Sequence, residues 1–135
     1  MFKKKIKYTN FNGEKREQDL YFNLTEQECT ELEVSESNSL SNKIEIIANS
    51  EDRKEIVRIF KEIILKAYGE RSADGEVFMK SDEIRHKFEC SAAFNALFME
   101  LVQNESTISE FINAVVPKPK NENVSGIAPF QNVAK

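Results

Sequence analysis

The chain has one histidine, two cysteines, four glycines and no apolar run approaching the length of a membrane span. Each scarcity removes a class of function. His86 stands on a predicted helix facing away from its apolar residues, and no partner for acid–base or nucleophilic work is placed by spacing. Cys29 and Cys90 are too far apart for a CxxC motif and read as reduced small hydrophobes of a cytosolic protein. Gly13, Gly69, Gly75 and Gly126 are isolated, so there is no glycine-rich phosphate loop. "DGE" at 74–76 lacks the run of oxygen ligands that a calcium loop needs and reads as a turn. No metal, cofactor or catalytic constellation is expected. "MFKKKIKYTNF" has lysines without a following apolar stretch, so no secretory signal is expected and the asparagines of three N-x-S/T matches carry no glycan.

What is present is charge and amphipathic helix. The 135 residues suffice for one domain with a core, and a mean hydropathy of −0.52 with 31% charged residues predicts a soluble protein. A net charge of −4 argues against nucleic-acid binding. The charge is polarised: residues 1–24 hold six basic and three acidic groups, and 25–52 one basic and eight acidic. A solvated strand followed by a solvated helix accounts for this, and the two poles also suit docking or self-association.

Residues 2–9 and 19–24 alternate, with Phe2, Ile6 and Tyr8 on one side of the first strand and Leu20, Phe22 and Leu24 on one side of the second. A two-residue turn at Asn12-Gly13 would put these apolar sets on opposite faces. A three-residue loop, Phe11-Asn12-Gly13, pairs 10 with 14, 6 with 18 and 2 with 22, and brings them together. We therefore expect a hairpin over 2–24 with Gly13 in a left-handed bulge position.

Five or six helices follow in 25–116. Thr25 with Glu28 forms a capping box for the first. Leu40, Ile44 and Ile47 mark a second. The strongest spans 50–68, with Ser50 as cap and Gly69 as stop. Its apolar arc, Ile56 through Tyr68, covers about half the circumference, which is wider than one contact needs. The layers are expected to meet through Phe22, Leu24, Phe60 and Ile63. Residues 69–81 read as a connector, extended at most briefly over 77–80. Ser81 caps a helix holding Ile84 and Phe88. "SAAFNALFMELVQ" aligns Phe94, Leu97, Phe98, Leu101 and Val102, and a box of Thr107 with Glu110 opens the last helix, which Pro117 stops. The expected architecture is thus α+β and mainly α: a hairpin packed on helices, one globular domain over 1–117, and a flexible tail over 118–135.

Most apolar helix positions are ordinary core. Leu65, Met99 and Ile46 lie off their helices' main faces, and apolar residues of that kind, gathered on one patch, would make a protein-binding surface.

The ordered segments "YFNLT", "EDRKEIVRIFKEIILKAYGERSADGEVFMKS", "FMEL" and "EFINAVVP" resemble the tail assembly chaperones of long-tailed bacteriophages and prophages of Gram-positive hosts, from about residue 3 to Pro117. The resemblance implies a non-enzymatic protein of the bacterial cytoplasm. It would bind the long, apolar, helical tape measure protein, keep it soluble until tail-tube subunits polymerise around it, and often form homo-oligomers. A structural tail or head–tail completion protein, retained in the virion, is the alternative.

Overall fold

A computed structural model describes residues 1–35 and 39–117. The expected flexible tail, 118–135, lies outside the described residues. The chain begins with strands β1 (Phe2–Thr9) and β2 (Lys15–Phe22), paired antiparallel with Phe2 opposite Phe22 and Ile6 opposite Gln18. The hairpin loop is the one that the alternation requires. Asn10 N–H donates to the Glu14 carbonyl at 2.9 Å, Gly13 N–H donates to the Asn10 carbonyl at 3.0 Å, and Gly13 has φ +81°. Asn10 Oδ1 also accepts from the amides of Asn12 and Glu14, so the side chain that opens the turn holds both sides of it. The inner face buries Ile6, Leu20 and Phe22, while the outer lysines face solvent, where Lys3 pairs with Asp19 and Lys7 with Glu17.

Six helices follow: α1 (Glu26–Ser35), α2 (Leu40–Asn49), α3 (Arg53–Ala67), α4 (Asp82–Glu89), α5 (Ala92–Leu101) and α6 (Glu105–Val115). Among the described residues the molecule is an N-terminal antiparallel hairpin with six helices, an α+β fold. Capping is local and legible at three starts. Thr25 and Glu28 exchange the reciprocal bonds of a capping box, Ser81 accepts from the Ile84 amide, and Ser91 accepts from the Phe94 amide.

Two expected caps are displaced. Ser50 closes α2, its amide donating to the Ile46 carbonyl, and Asp52 caps α3 by accepting from the amides of Lys54 and Glu55. Asp52 carries a full charge at the positive end of the helix, which Ser50 lacks. Likewise α6 starts one turn before Thr107. Asn104 accepts from the Thr107 amide at 2.8 Å, and the Thr107 hydroxyl donates to the same oxygen at 2.9 Å. Ile108 is buried in the second turn of the helix.

The larger correction concerns the connector. α3 ends at Ala67, and Tyr68–Arg71 forms strand β3, which pairs with β2 at Tyr21 and Phe22 and with β4 (Phe78–Met79) on its other side. The sheet therefore has four strands in the order β1-β2-β3-β4. Gly69 does not merely stop a helix. A Cβ there would lie 2.7 Å from Phe78 and 2.9 Å from the Met79 carbonyl, so the close approach of β4 requires the missing side chain. The β3–β4 turn is closed by Gly75, with φ +79°, and by Asp74, which accepts from the Ser72 hydroxyl and the Glu76 amide. These bonds hold the exposed Asp74 carboxyl below its ordinary pKa.

Phe22, Leu24, Phe60 and Ile63 are all buried in one core cluster, as expected. Phe111 of α6 lies among them. Its ring meets Phe2 at 5.1 Å, Phe22 at 5.3 Å and Phe60 at 5.5 Å, the last pair edge to face at 89°. Two backbone bonds gather helix ends at the segment leaving β2: the Asn23 amide donates to the Ala67 carbonyl and the Leu24 amide to the Val115 carbonyl. Tyr68 stacks on Phe88 at 3.7 Å, and its burial raises the phenol pKa.

Candidate functional site

The three residues singled out as off-face apolar positions sit on three helices, and the structure treats them differently. Met99 on α5 is 55% exposed. Leu65 on α3 and Ile46 on α2 are half-buried and pack against the core cluster. Arg85 of α4 reaches over α3 and donates through Nε to the Leu65 carbonyl at 3.3 Å. Leu65 is therefore less exposed than a position off the helix's main face leads one to expect. The helical period locates a side chain around its own axis, but it does not say whether a later helix arrives on that side.

Apolar surface left open by the core gathers elsewhere. A groove of about 230 Å³ runs between α2, the first turns of α3, and α6. Isoleucines line it: Ile44 and Ile47 from α2, Ile56 from α3, and Ile108 and Ile112 from α6. Arg53 and Glu105 stand on its rim, and Arg53 also donates to the Val102 carbonyl at 3.1 Å, fixing the start of α3 against the α5–α6 corner. The described walls do not include Ile46, Leu65 or Met99. Ile108 and Ile112 are buried in the core cluster and line the groove from beneath, and Ile44 and Ile47 are half-buried; sequence reasoning placed these residues on apolar helix faces and missed the groove. The signal for it was the over-wide apolar arc of α3, whose surplus emerges at Ile56.

A second, more open concavity of about 540 Å³ lies between the hairpin loop and the α4–α5 corner, with Tyr8, Phe11, Cys90 and Asn95 among its walls. Phe11 at the hairpin tip is 83% exposed. Cys90 Sγ is 3.6 Å from His86 Nε2, a pairing one helical turn apart that the reading of His86 as partnerless missed. Both side chains are exposed. A nucleophilic Cys–His site also needs a third group to orient the imidazole, and none is bonded to His86 among the described residues. No group of three His, Cys, Asp or Glu side chains gathers to hold a metal ion among the described residues.

The buried and part-buried charges are architectural. Lys80 follows β4 and turns inward, donating to the Asn23 carbonyl at 2.7 Å and to Glu28 at 2.8 Å. Burial lowers its pKa, and the bond to Glu28 opposes that shift. Glu28 thus serves both as partner in the α1 capping box and as counter-ion, tying α1 to the second hairpin. Cys29 beside it is pushed up to about 11, first by burial and then by the Glu28 charge. Lys43 on α2 is buried with its ammonium 3.6 Å from Glu62 of α3. No helix among the described residues is long and apolar enough to cross a membrane.

Comparison with known families matches residues 1–126 to the phage tail assembly chaperones. No curated protein and no solved structure matches the chain. The family match takes in the hairpin, the second hairpin and all six helices, and runs past Pro117. On that extent of agreement the chain belongs to the phage tail assembly chaperone family.

Proposed function

We propose that the protein binds the tape measure protein of its own phage and holds that apolar, helical chain in solution until tail-tube subunits assemble around it. The family match over residues 1–126 carries this reading. A helical client presents an apolar stripe, and a chaperone that must later be displaced does best with modest contacts repeated over many copies. In this proposal the protein acts in the host cytoplasm as a homo-oligomer, without catalysis, and gives up its client to the tail-tube subunit. Met99 is the contact residue, with Leu65 and Ile46 at the margins of the contact.

Co-expression tests it: the client should move from pellet to supernatant when this protein is made alongside it. Met99→Glu should reduce that transfer with the fold intact, because the side chain is already half in water while a charge at the contact must be desolvated. Leu65→Glu serves less well, since Leu65 packs against the core and its substitution disturbs the fold. A Met99→Glu protein that is folded by circular dichroism and solubilises the client as well as wild type removes Met99 from the contact. A wild-type protein that leaves the client insoluble, and that mass spectrometry finds in purified virions, is a structural completion subunit instead.

A further inference from the structure

The isoleucine groove between α2, α3 and α6 has an occupant available in the same chain. α6 supplies one wall of the groove and ends at Val115, and the sequence continues beyond Pro117 for residues 118–135. That continuation has two parts. Residues 118–123, "KPKNEN", are polar and include Lys118, Lys120 and Glu122. Residues 124–134, "VSGIAPFQNVA", carry no charge and include Val124, Ile127, Pro129 and Phe130. The spacer is a tether, and the uncharged stretch offers Ile127 and Phe130 to an apolar surface.

The lengths agree. Six extended residues reach about 20 Å at ~3.3–3.6 Å each. The groove follows α6 back from its C-terminus, and the eleven residues of that helix rise only about 16 Å at ~1.5 Å each. The spacer can therefore double back and lay the apolar stretch at any depth of the groove. A tether of this length holds its segment at an effective concentration of roughly millimolar, so a millimolar affinity is enough for substantial occupancy. The same contact made between molecules at micromolar concentration would stay almost empty.

We propose that residues 124–130, "VSGIAPF", occupy the α2/α3/α6 groove of their own chain, with Ile127 and Phe130 as the apolar anchors. This contact is separate from the client contact proposed above, because Met99, Leu65 and Ile46 do not line the groove.

Isoleucine δ1-methyl NMR of the full-length protein decides the matter without any client, so this test and the co-expression test fail separately. Ile127→Asp and Phe130→Asp, each in the full chain, should move the resonances of Ile44, Ile47, Ile56 and Ile112 and leave those of Ile6 and Ile63 in place. About a hundredfold dilution should leave the wild-type spectrum unchanged. Adding the synthetic peptide VSGIAPFQNVA to the Phe130→Asp protein should return the groove methyls towards their wild-type positions. Groove methyls that ignore both substitutions overturn the proposal, and so do shifts spread over all isoleucines alike. Shifts that fade on dilution also overturn it, because the segment would then come from a second copy.

Discussion

Phe60→Ala is the most demanding test of how the layers are joined. Phe60 is fully buried at the middle of α3, and its ring meets the edge of Phe111, which also touches Phe22 and Phe2 of the hairpin. Truncation removes the ring's burial and leaves a cavity that two rigid elements, a helix and a sheet, cannot close. Large-to-small aromatic changes of this kind cost about 3–5 kcal/mol. The edge-to-face contact with Phe111 accounts for roughly 0.5–1.5 kcal/mol of that. Against a total stability of about 5–15 kcal/mol, the loss is a large fraction. With a urea dependence of about 2 kcal/mol per molar, the unfolding midpoint followed by circular dichroism should fall by roughly 2 M. A double-mutant cycle with Phe111→Leu should return a coupling of about 0.5–1.5 kcal/mol. A midpoint shift equivalent to less than ~1 kcal/mol would place Phe60 outside the core. Strict additivity with Phe111→Leu would refute the ring contact while leaving the burial intact.

Gly69→Ala should cost about 1–3 kcal/mol by thermal melting, because the added Cβ meets the Met79 carbonyl and the Phe78 ring; wild-type stability in that variant would mean that β4 does not approach β3 so closely. Native-state alkylation with iodoacetamide at pH 8 should modify Cys90 well before Cys29. Cys90 is exposed, whereas Cys29 is half-buried with a pKa raised to about 11, which leaves about one thiol in a thousand as thiolate at that pH. Equal rates at the two cysteines by mass spectrometry would contradict the burial of Cys29 on α1.

What the sequence alone determined is whatever follows from neighbours along the chain. Strand alternation has period two, so parity forced a three-residue loop and the pairing of Phe2 with Phe22. Thr25 with Glu28, and Ser81 before Asp82, satisfy amides within one turn and need no distant partner. Phe22, Leu24, Phe60 and Ile63 were legible as core because they lie on the apolar faces of strongly periodic segments. Only the tertiary structure decided the rest. Tyr68–Arg71, the end of the expected helix and the start of the expected connector, becomes a strand because β2 offers Tyr21 and Phe22 as partners and Gly69 lets Phe78 in. Lys80 turns inward and is part-buried because Glu28 and the Asn23 carbonyl, more than fifty residues earlier, converge on it. The Leu65 carbonyl draws Arg85 from α4, while Ile56, which periodicity assigns to the core, borders a groove. Periodicity fixes where a side chain points from its own axis; whether that direction meets another helix, a groove or water depends on elements that fold in from elsewhere in the chain.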